Sequence, residues 1–174
     1  MLKLFLIFLL LLCVASLAVL AVAYLNLHPL PQDAAADRVL VEKSARRLTL
    51  LRGETALKTY RVALGRAPVG AKEYEGDQRT PEGIYSIDFH KADSDYHLAL
   101  HISYPEQRDI DRAATQGLSA GSDIMIHGLP NGRSWIGAFH RRTDWTAGCI
   151  AVTDFEIEEI FRAVPDGTPI EIRP

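Results

Sequence analysis

The sequence predicts a mainly β (α+β) domain with two short helices, preceded by one N-terminal hydrophobic helix. Three observations carry this. Leu4 to Leu27 contains no charged residue. From Arg38 onward, seven or eight short runs of strand-like sequence are separated by turn residues, the pattern of paired strands with one buried face. Only the stretches around 106–116 and 153–164 read as helices. Strands in this number with few helices pack as a sandwich or barrel with helical decorations.

The hydrophobic run comes first. As a helix its 24 residues reach about 36 Å, enough for a bilayer core of about 30 Å. A buried core helix would have a polar face, and this run has none. Lys3 sits on the expected cytoplasmic flank. Residues 1–27 are therefore a transmembrane anchor or a signal peptide cut after Ala21-Val22-Ala23. Cys13 follows the bulky Leu12 and the apolar run continues past it, so it reads as lipid-facing rather than as a lipoprotein site. Either reading places the remainder outside the cytoplasm, periplasmic or otherwise extracytoplasmic.

Residues 28–37 form a Pro/Ala linker, and 38–174 a single domain. Val39-Leu40-Val41, Arg47 to Leu51 and Leu57 to Gly65 read as strands of hairpins. Thr80-Pro81-Glu82-Gly83 is a turn, because Pro sets φ and Gly tolerates positive φ. Ile84 to Phe89, His97 to Ile102 and Asp123 to Ile126 are further strands, and residues 129–148 a long loop. Thr153 and Glu156 fit a capping box, and Ile157, Ile160, Phe161 and Val164 share a helical face. Pro165-Asp166-Gly167 ends that helix, and Thr168 to Arg173 is the last strand.

Charge excludes one class of partner. Nineteen basic and 22 acidic residues give a net charge of −3, and the basic residues cluster no further than pairs. Nucleic acid is not expected.

Cys149 is the one cysteine beyond the hydrophobic run. In an exported domain a lone cysteine reads either as a reactive thiol or as an inert core residue. Its neighbours favour the first. Gly148 lets successive N–H groups converge beside the sulfur, where they can stabilise an oxyanion. A thiol nucleophile needs a base, and the candidates are His90, His97, His101, His127 and His140. His127 is preferred, because it ends an apolar strand and Gly128 behind it leaves the ring room to face a cleft. His97 and His101 fall on a strand, about 13 Å apart, with no glutamate placed as in a zinc protease. No metal or other cofactor is expected.

Ile126-His127-Gly128, Thr146-Ala147-Gly148-Cys149-Ile150 and Thr80-Pro81-Glu82-Gly83-Ile84-Tyr85 together resemble the signature of the L,D-transpeptidase family, the YkuD-type catalytic domain. The resemblance extends over roughly 38–174 and implies a β-sandwich with small helices. It implies Cys149 as nucleophile, His127 as catalytic histidine, and backbone N–H groups of Gly148 and Cys149 as oxyanion donors. It also implies peptidoglycan stem peptides as substrate, with an acyl-enzyme passed to an amine (transpeptidase) or to water (L,D-carboxypeptidase or amidase). Many members carry His or Arg where this chain has Ala147, and Arg or Asn where it has Ala151. The form Trp145-Thr146-Ala147-Gly148-Cys149-Ile150-Ala151-Val152 resembles a subgroup that includes hydrolases releasing wall-bound lipoprotein. A non-catalytic wall-binding module of the same fold is the rival reading. Gly128, Arg142, Trp145 and Thr146 are candidate substrate-binding residues. The loop arginines Arg133, Arg141 and Arg142 either bind stem carboxylates or are solvated, and Trp145 either walls the cleft or packs inside.

Overall fold

The computed structural model describes residues 2–24 and 29–174, with side chains over 3–19 and 29–174. Helix α1 is Leu2–Tyr24. The strands are β1 Arg38–Glu42, β2 Arg47–Arg52, β3 Thr55–Arg61, β4 Gly83–Ser94, β5 His97–Ile102, β6 Met125–His127, β7 Ile150–Ala151 and β8 Pro169–Arg173. Helix α2 is Gln107–Ala114, α3 is Asp154–Ala163, and a 3-10 segment spans Ser134–Arg142.

Hydrogen bonding joins the strands in the order β3-β2-β1-β8-β4-β5-β6-β7. β1, β2 and β3 form an antiparallel meander. β8 lies parallel to β1 and antiparallel to β4. β4 belongs to both halves: Gly83 to Ser86 pair with β8, and Ile87 to Ser94 pair with β5. Register breaks at Ile87/Phe89 and Lys91/Ser94 interrupt the second half, and such bulges bend a strand and raise its twist. The pairing thus describes one mixed sheet continuing through β4, whereas two packed sheets were expected from the sequence.

Alternation decides the core. Val39 and Val41 of β1, Leu48 and Leu50 of β2, Ile170 and Ile172 of β8 and Leu100 and Ile102 of β5 are all at most 2% exposed. Helix α3 adds Ile157 and Ile160, and its C-cap Val164 falls on the same face. Its Thr153–Glu156 capping box is present. The 129–148 loop holds the 3-10 segment, interrupted at Gly137 by φ 49° and ψ −141°.

The expected linker is docked in its described part. Leu30 is buried and its N–H donates to Glu159 Oε1 at 2.8 Å, while the Ala36 N–H donates to the Ala163 carbonyl at 2.7 Å. Glu159 also accepts from Lys58 Nζ at 2.6 Å and from the Tyr60 hydroxyl at 3.0 Å. Burial alone would raise its carboxyl, but these donors hold it below the ordinary glutamate range.

The larger apolar side chains of α1 are 42–72% exposed, and the helix meets the domain at the 3-10 segment. Its side chains are described over 3–19, short of the roughly 20 residues of a bilayer span. Among the described residues no helix is long and apolar enough to cross a membrane. Residues 25–28, where the hydrophobic run ends and the linker begins, and the side chains of Ala21-Val22-Ala23 lie outside the described residues.

Candidate active site

The nucleophile candidate stands on a turn held from below. Gly148 has φ +142°, a backbone that L side chains rarely adopt, and a Cβ there would meet the Arg79 carbonyl at 2.8 Å. A Cβ at Gly65 would meet the Gln78 carbonyl at 2.1 Å and the Gly148 Cα at 3.1 Å. Two glycines therefore let three chain segments meet under Cys149. Thr80 is fully buried among them, and its Oγ1 accepts the Gly65 N–H at 3.1 Å. The turn carrying Thr80 is fixed by Lys43 Nζ, which donates to the Thr80 carbonyl at 2.9 Å and pairs with Glu82 at 2.8 Å. The 80–85 motif thus packs beneath the turn that carries Cys149.

Thr146 closes the turn from within. Its hydroxyl donates to the Cys149 carbonyl at 2.7 Å and accepts the Gly148 N–H at 3.1 Å. Gly148, expected as an oxyanion donor, therefore has its N–H engaged inside the turn. Asp144 ties the loop down: it pairs with Arg46 at 2.8 Å and accepts the Leu64 N–H at 2.9 Å.

His127 comes from the adjoining strand. β6 and β7 are parallel, with Ile126 beside Ile150 and His127 beside Ala151. Continuing this register places Cys149 two residues back, roughly 7 Å along the strand direction, on the face that His127 shares. The ring is fixed on both sides. Nδ1 lies 2.7 Å from the Gly128 carbonyl, an acceptor only, so Nδ1 carries the proton and Nε2 the lone pair. Tyr96 packs against the imidazole at 4.4 Å between centroids, and Trp145 meets it edge-on at 5.7 Å. Trp145 Nε1 donates in turn to His140 Nδ1 at 3.3 Å.

Cys149 and His127 line one cleft of about 540 Å³ with Tyr96, Trp145, Thr146, Ala147 and Met125. Arg66, Lys91, Asp95 and Asp123 give it charge of both signs. The Cys149 thiol lies 3.5 Å from the Asp123 carbonyl oxygen. A thiol and an imidazole of fixed tautomer thus open onto one cleft.

The family model for the YkuD L,D-transpeptidase catalytic domain matches residues 36–172. The chain belongs to this family. YafK of Escherichia coli (strain K12), named as an unproven L,D-transpeptidase, is 33% identical over 110 residues, 62% of this chain and 37% of that protein. The structure of the helical cell shape determining protein Pgp2 (K307A mutant) from Campylobacter jejuni is similar at TM-score 0.60 and 25% identity, covering 82% of this chain and 49% of that one. Bd1075 of Bdellovibrio bacteriovorus has the same fold at TM-score 0.53 and 24% identity, covering 82% of this chain and 49% of its own. The chain thus spans about a third of the curated relative and half of these structures.

In this YkuD domain both central groups are neutral at rest. Burial pushes the Cys149 thiol above its ordinary value, the Asp123 carboxylate adds to that, and the Met125 backbone and Lys72 oppose it. Burial lowers His127 to about 4 against the pull of its Gly128 bond. Burial likewise lowers His140 to about 3, helped by the charges of Arg141 and His127. His140 Nε2 has no partner among the described residues.

The other sequence candidates divide. Trp145 and Thr146 line the cleft. Gly128 is buried behind the histidine, where a Cβ would meet Asp154 Oδ1 at 2.8 Å and the Tyr96 carbonyl at 2.9 Å, so it allows close packing and does not line the cleft. Arg142 does not line it either. It borders a separate cavity against α1, and Arg141 pairs with Glu156. His90, His97 and His101 pair with Asp166, Glu158 and Asp88. Among the described residues no cluster of His, Cys, Asp and Glu could hold a metal ion. Tyr96, Asp123, Lys91 and Arg66 were missed. Tyr96 and Asp123 sit beside residues of positive φ or adopt it themselves, at His97 (φ 66°) and Asp123 (φ 58°), a signal that only a backbone reveals.

Proposed function

We propose that this protein is a cysteine acyl-transfer enzyme acting on peptidoglycan stem peptides. The observation that carries the reading is the opening of Cys149, on the turn leading into β7, and His127, at the end of β6, onto one cleft, with the lone pair of His127 fixed on Nε2. Nε2 takes the thiol proton while Sγ attacks the carbonyl carbon of an L,D peptide bond. Because thiol and imidazole are both neutral at rest, the proton moves in step with the attack. The tetrahedral oxyanion falls to the Cys149 N–H, since the Gly148 N–H is engaged by Thr146. The intermediate collapses with Nε2–H protonating the departing amine, leaving a thioester on Cys149. An acceptor amine then gives a cross-link, and water gives a trimmed stem or a freed lipoprotein peptide.

The water reading has its own support. Ala147 lines the cleft with a methyl group where many family members carry His or Arg, so the cleft has no charged or polar side chain at that position. The test is incubation of the full chain and its Cys149→Ala form with purified sacculi, followed by mass spectrometry of muropeptides. Cross-linked or trimmed stems are expected with the native chain, and about a thousandfold less with the variant. Muropeptides left unchanged by both chains would leave only a wall-binding module, and a variant that still links or trims stems would remove Cys149 from the reaction.

The same reading places the domain outside the cytoplasmic membrane, held by α1. Its support is a helix apolar on every side whose side chains stay largely uncovered by the domain. Ser16, the hydroxyl donor among its described side chains, donates to the Leu12 carbonyl of the same helix at 2.8 Å, as a helix in lipid requires.

A further inference from the structure

We propose that the 3-10 segment Ser134–Arg142 is a membrane-docking surface, which seats Trp135 and Phe139 in the headgroup layer of an anionic bilayer and sets Arg61, Arg133 and Arg142 on lipid phosphates. The inference rests on the reading of α1 as a membrane span and goes beyond it.

Three observations converge on this face. Trp135 is 68% exposed and Phe139 45%. Exposed aromatics beside basic residues are the composition of a membrane interface, where the ring enters and the polar edge stays wet. Arg61, Arg133 and Arg142 are exposed and form no ion pair among the described residues, whereas their neighbour Arg141 is tied to Glu156. Unpaired guanidinium groups suit phosphate oxygens, which they bind in bidentate fashion. The net charge of −3 gives no general attraction to an anionic surface, so the local cluster would have to supply it.

The third observation selects lipid over a protein partner. Ala18 and Val19 of α1 line a cavity of about 520 Å³ together with Ala138, Phe139 and the three arginines 61, 141 and 142. One wall is an apolar helix and the other carries guanidinium groups. An acyl chain with an anionic headgroup matches both walls. Ala18 and Val19 lie five to six residues before the end of α1 at Tyr24, about 8 Å along its axis. That falls within the roughly 5–10 Å to which apolar faces docked at a membrane interface are buried. Docking also bears on the cleft. Trp145 lines both the cleft and a neighbouring cavity with Arg133, Ile136 and Phe139, so the docked face lies one side chain from the reacting groups. A docked domain would hold its cleft at fixed height and orientation over the membrane.

The test uses the full chain in nanodiscs of phosphatidylcholine, with and without phosphatidylglycerol. The Trp135 signal is the part of the emission lost in Trp135→Phe. Insertion of α1 is read separately, from protection of Cys13 against an impermeant maleimide in Cys149→Ala chains. The expected result is a protected Cys13 and a blue-shifted Trp135 signal, quenched at least twofold by brominated acyl chains when phosphatidylglycerol is present. Arg133→Gln/Arg142→Gln should remove most of that quenching. A freely labelled Cys13 overturns the span and the docking together. A protected Cys13 with a water-like, unquenched Trp135 overturns the docking alone. Quenching that ignores both phosphatidylglycerol and the arginine substitutions overturns the phosphate assignment.

Discussion

Cys149 and His127, which the structure opens onto one cleft, are each announced locally: a cysteine after glycine, and a histidine at the end of an apolar run followed by glycine. What the sequence hid is the charge around them. Asp123 has a positive φ of 58° and lines the cleft beside the thiol. Its carboxylate opposes formation of a second negative charge on sulfur. Replacing Asp123 by Asn should therefore lower the Cys149 pKa and speed alkylation near neutral pH several-fold. The measurement is the pH profile of iodoacetamide labelling in a Cys13→Ser chain. An unchanged profile would mean that the carboxylate does not reach the sulfur electrostatically. Gly148 illustrates the opposite error. Its place beside the cysteine made it an oxyanion donor on paper, yet the Thr146 hydroxyl two residues away takes its N–H. Competition by a neighbouring hydroxyl within one turn is common, but which partner wins depends on backbone angles that the letters do not state.

At the scale of elements, legibility followed periodicity. Helix α3 was readable because its buried face repeats at helical spacing and its capping box is contiguous, and both are present. Ile160 is fully buried on that face. Truncation to Ala should cost about 2–5 kcal/mol, through lost burial and a residual cavity. Urea titration followed by tryptophan emission would measure it, and a loss under about 1 kcal/mol would mean that α3 does not seal the core. The 3-10 segment lies in a stretch whose sequence predicts only loop, because two short turns broken at Gly137 are too brief to show a period. The docked stretch after residue 29 escaped for a different reason. Its anchor, Glu159, reads as one more polar position of α3, and its partners Lys58, Tyr60 and Leu30 are 99 to 129 residues distant in sequence. No local pattern encodes such a contact.

For the whole molecule, strand content was legible but strand order was not. Alternation identifies a strand and its buried face, whereas the insertion of β8 between β1 and β4 is a long-range choice, as is the passage of one sheet through the bulged β4. The long-range packing also buries imidazoles, and that sets how the molecule responds to acid. His127 is lowered to about 4 and His140 to about 3, while an unfolded histidine titrates near 6.5. Between those values the unfolded chain binds protons that the folded one refuses, so stability is complete above about pH 6.5 and falls as the pH drops toward 4. Each histidine should remove roughly 2–3 kcal/mol by about pH 4.5. Asp77 and Glu159, held low by their ion pairs, act in the same direction. Their losses begin only near the ordinary carboxylate range, about pH 4, so the histidines dominate the upper part of the window. The expected outcome is a steady fall in unfolding free energy between pH 6.5 and 4.5, totalling about 5 kcal/mol, measured by urea titration in detergent. His140→Phe should remove about half of that slope, because no imidazole remains there to protonate on unfolding. A flat profile over this range would mean that both rings accept protons as readily in the folded state as in the unfolded one, and that burial does not lower His127 and His140.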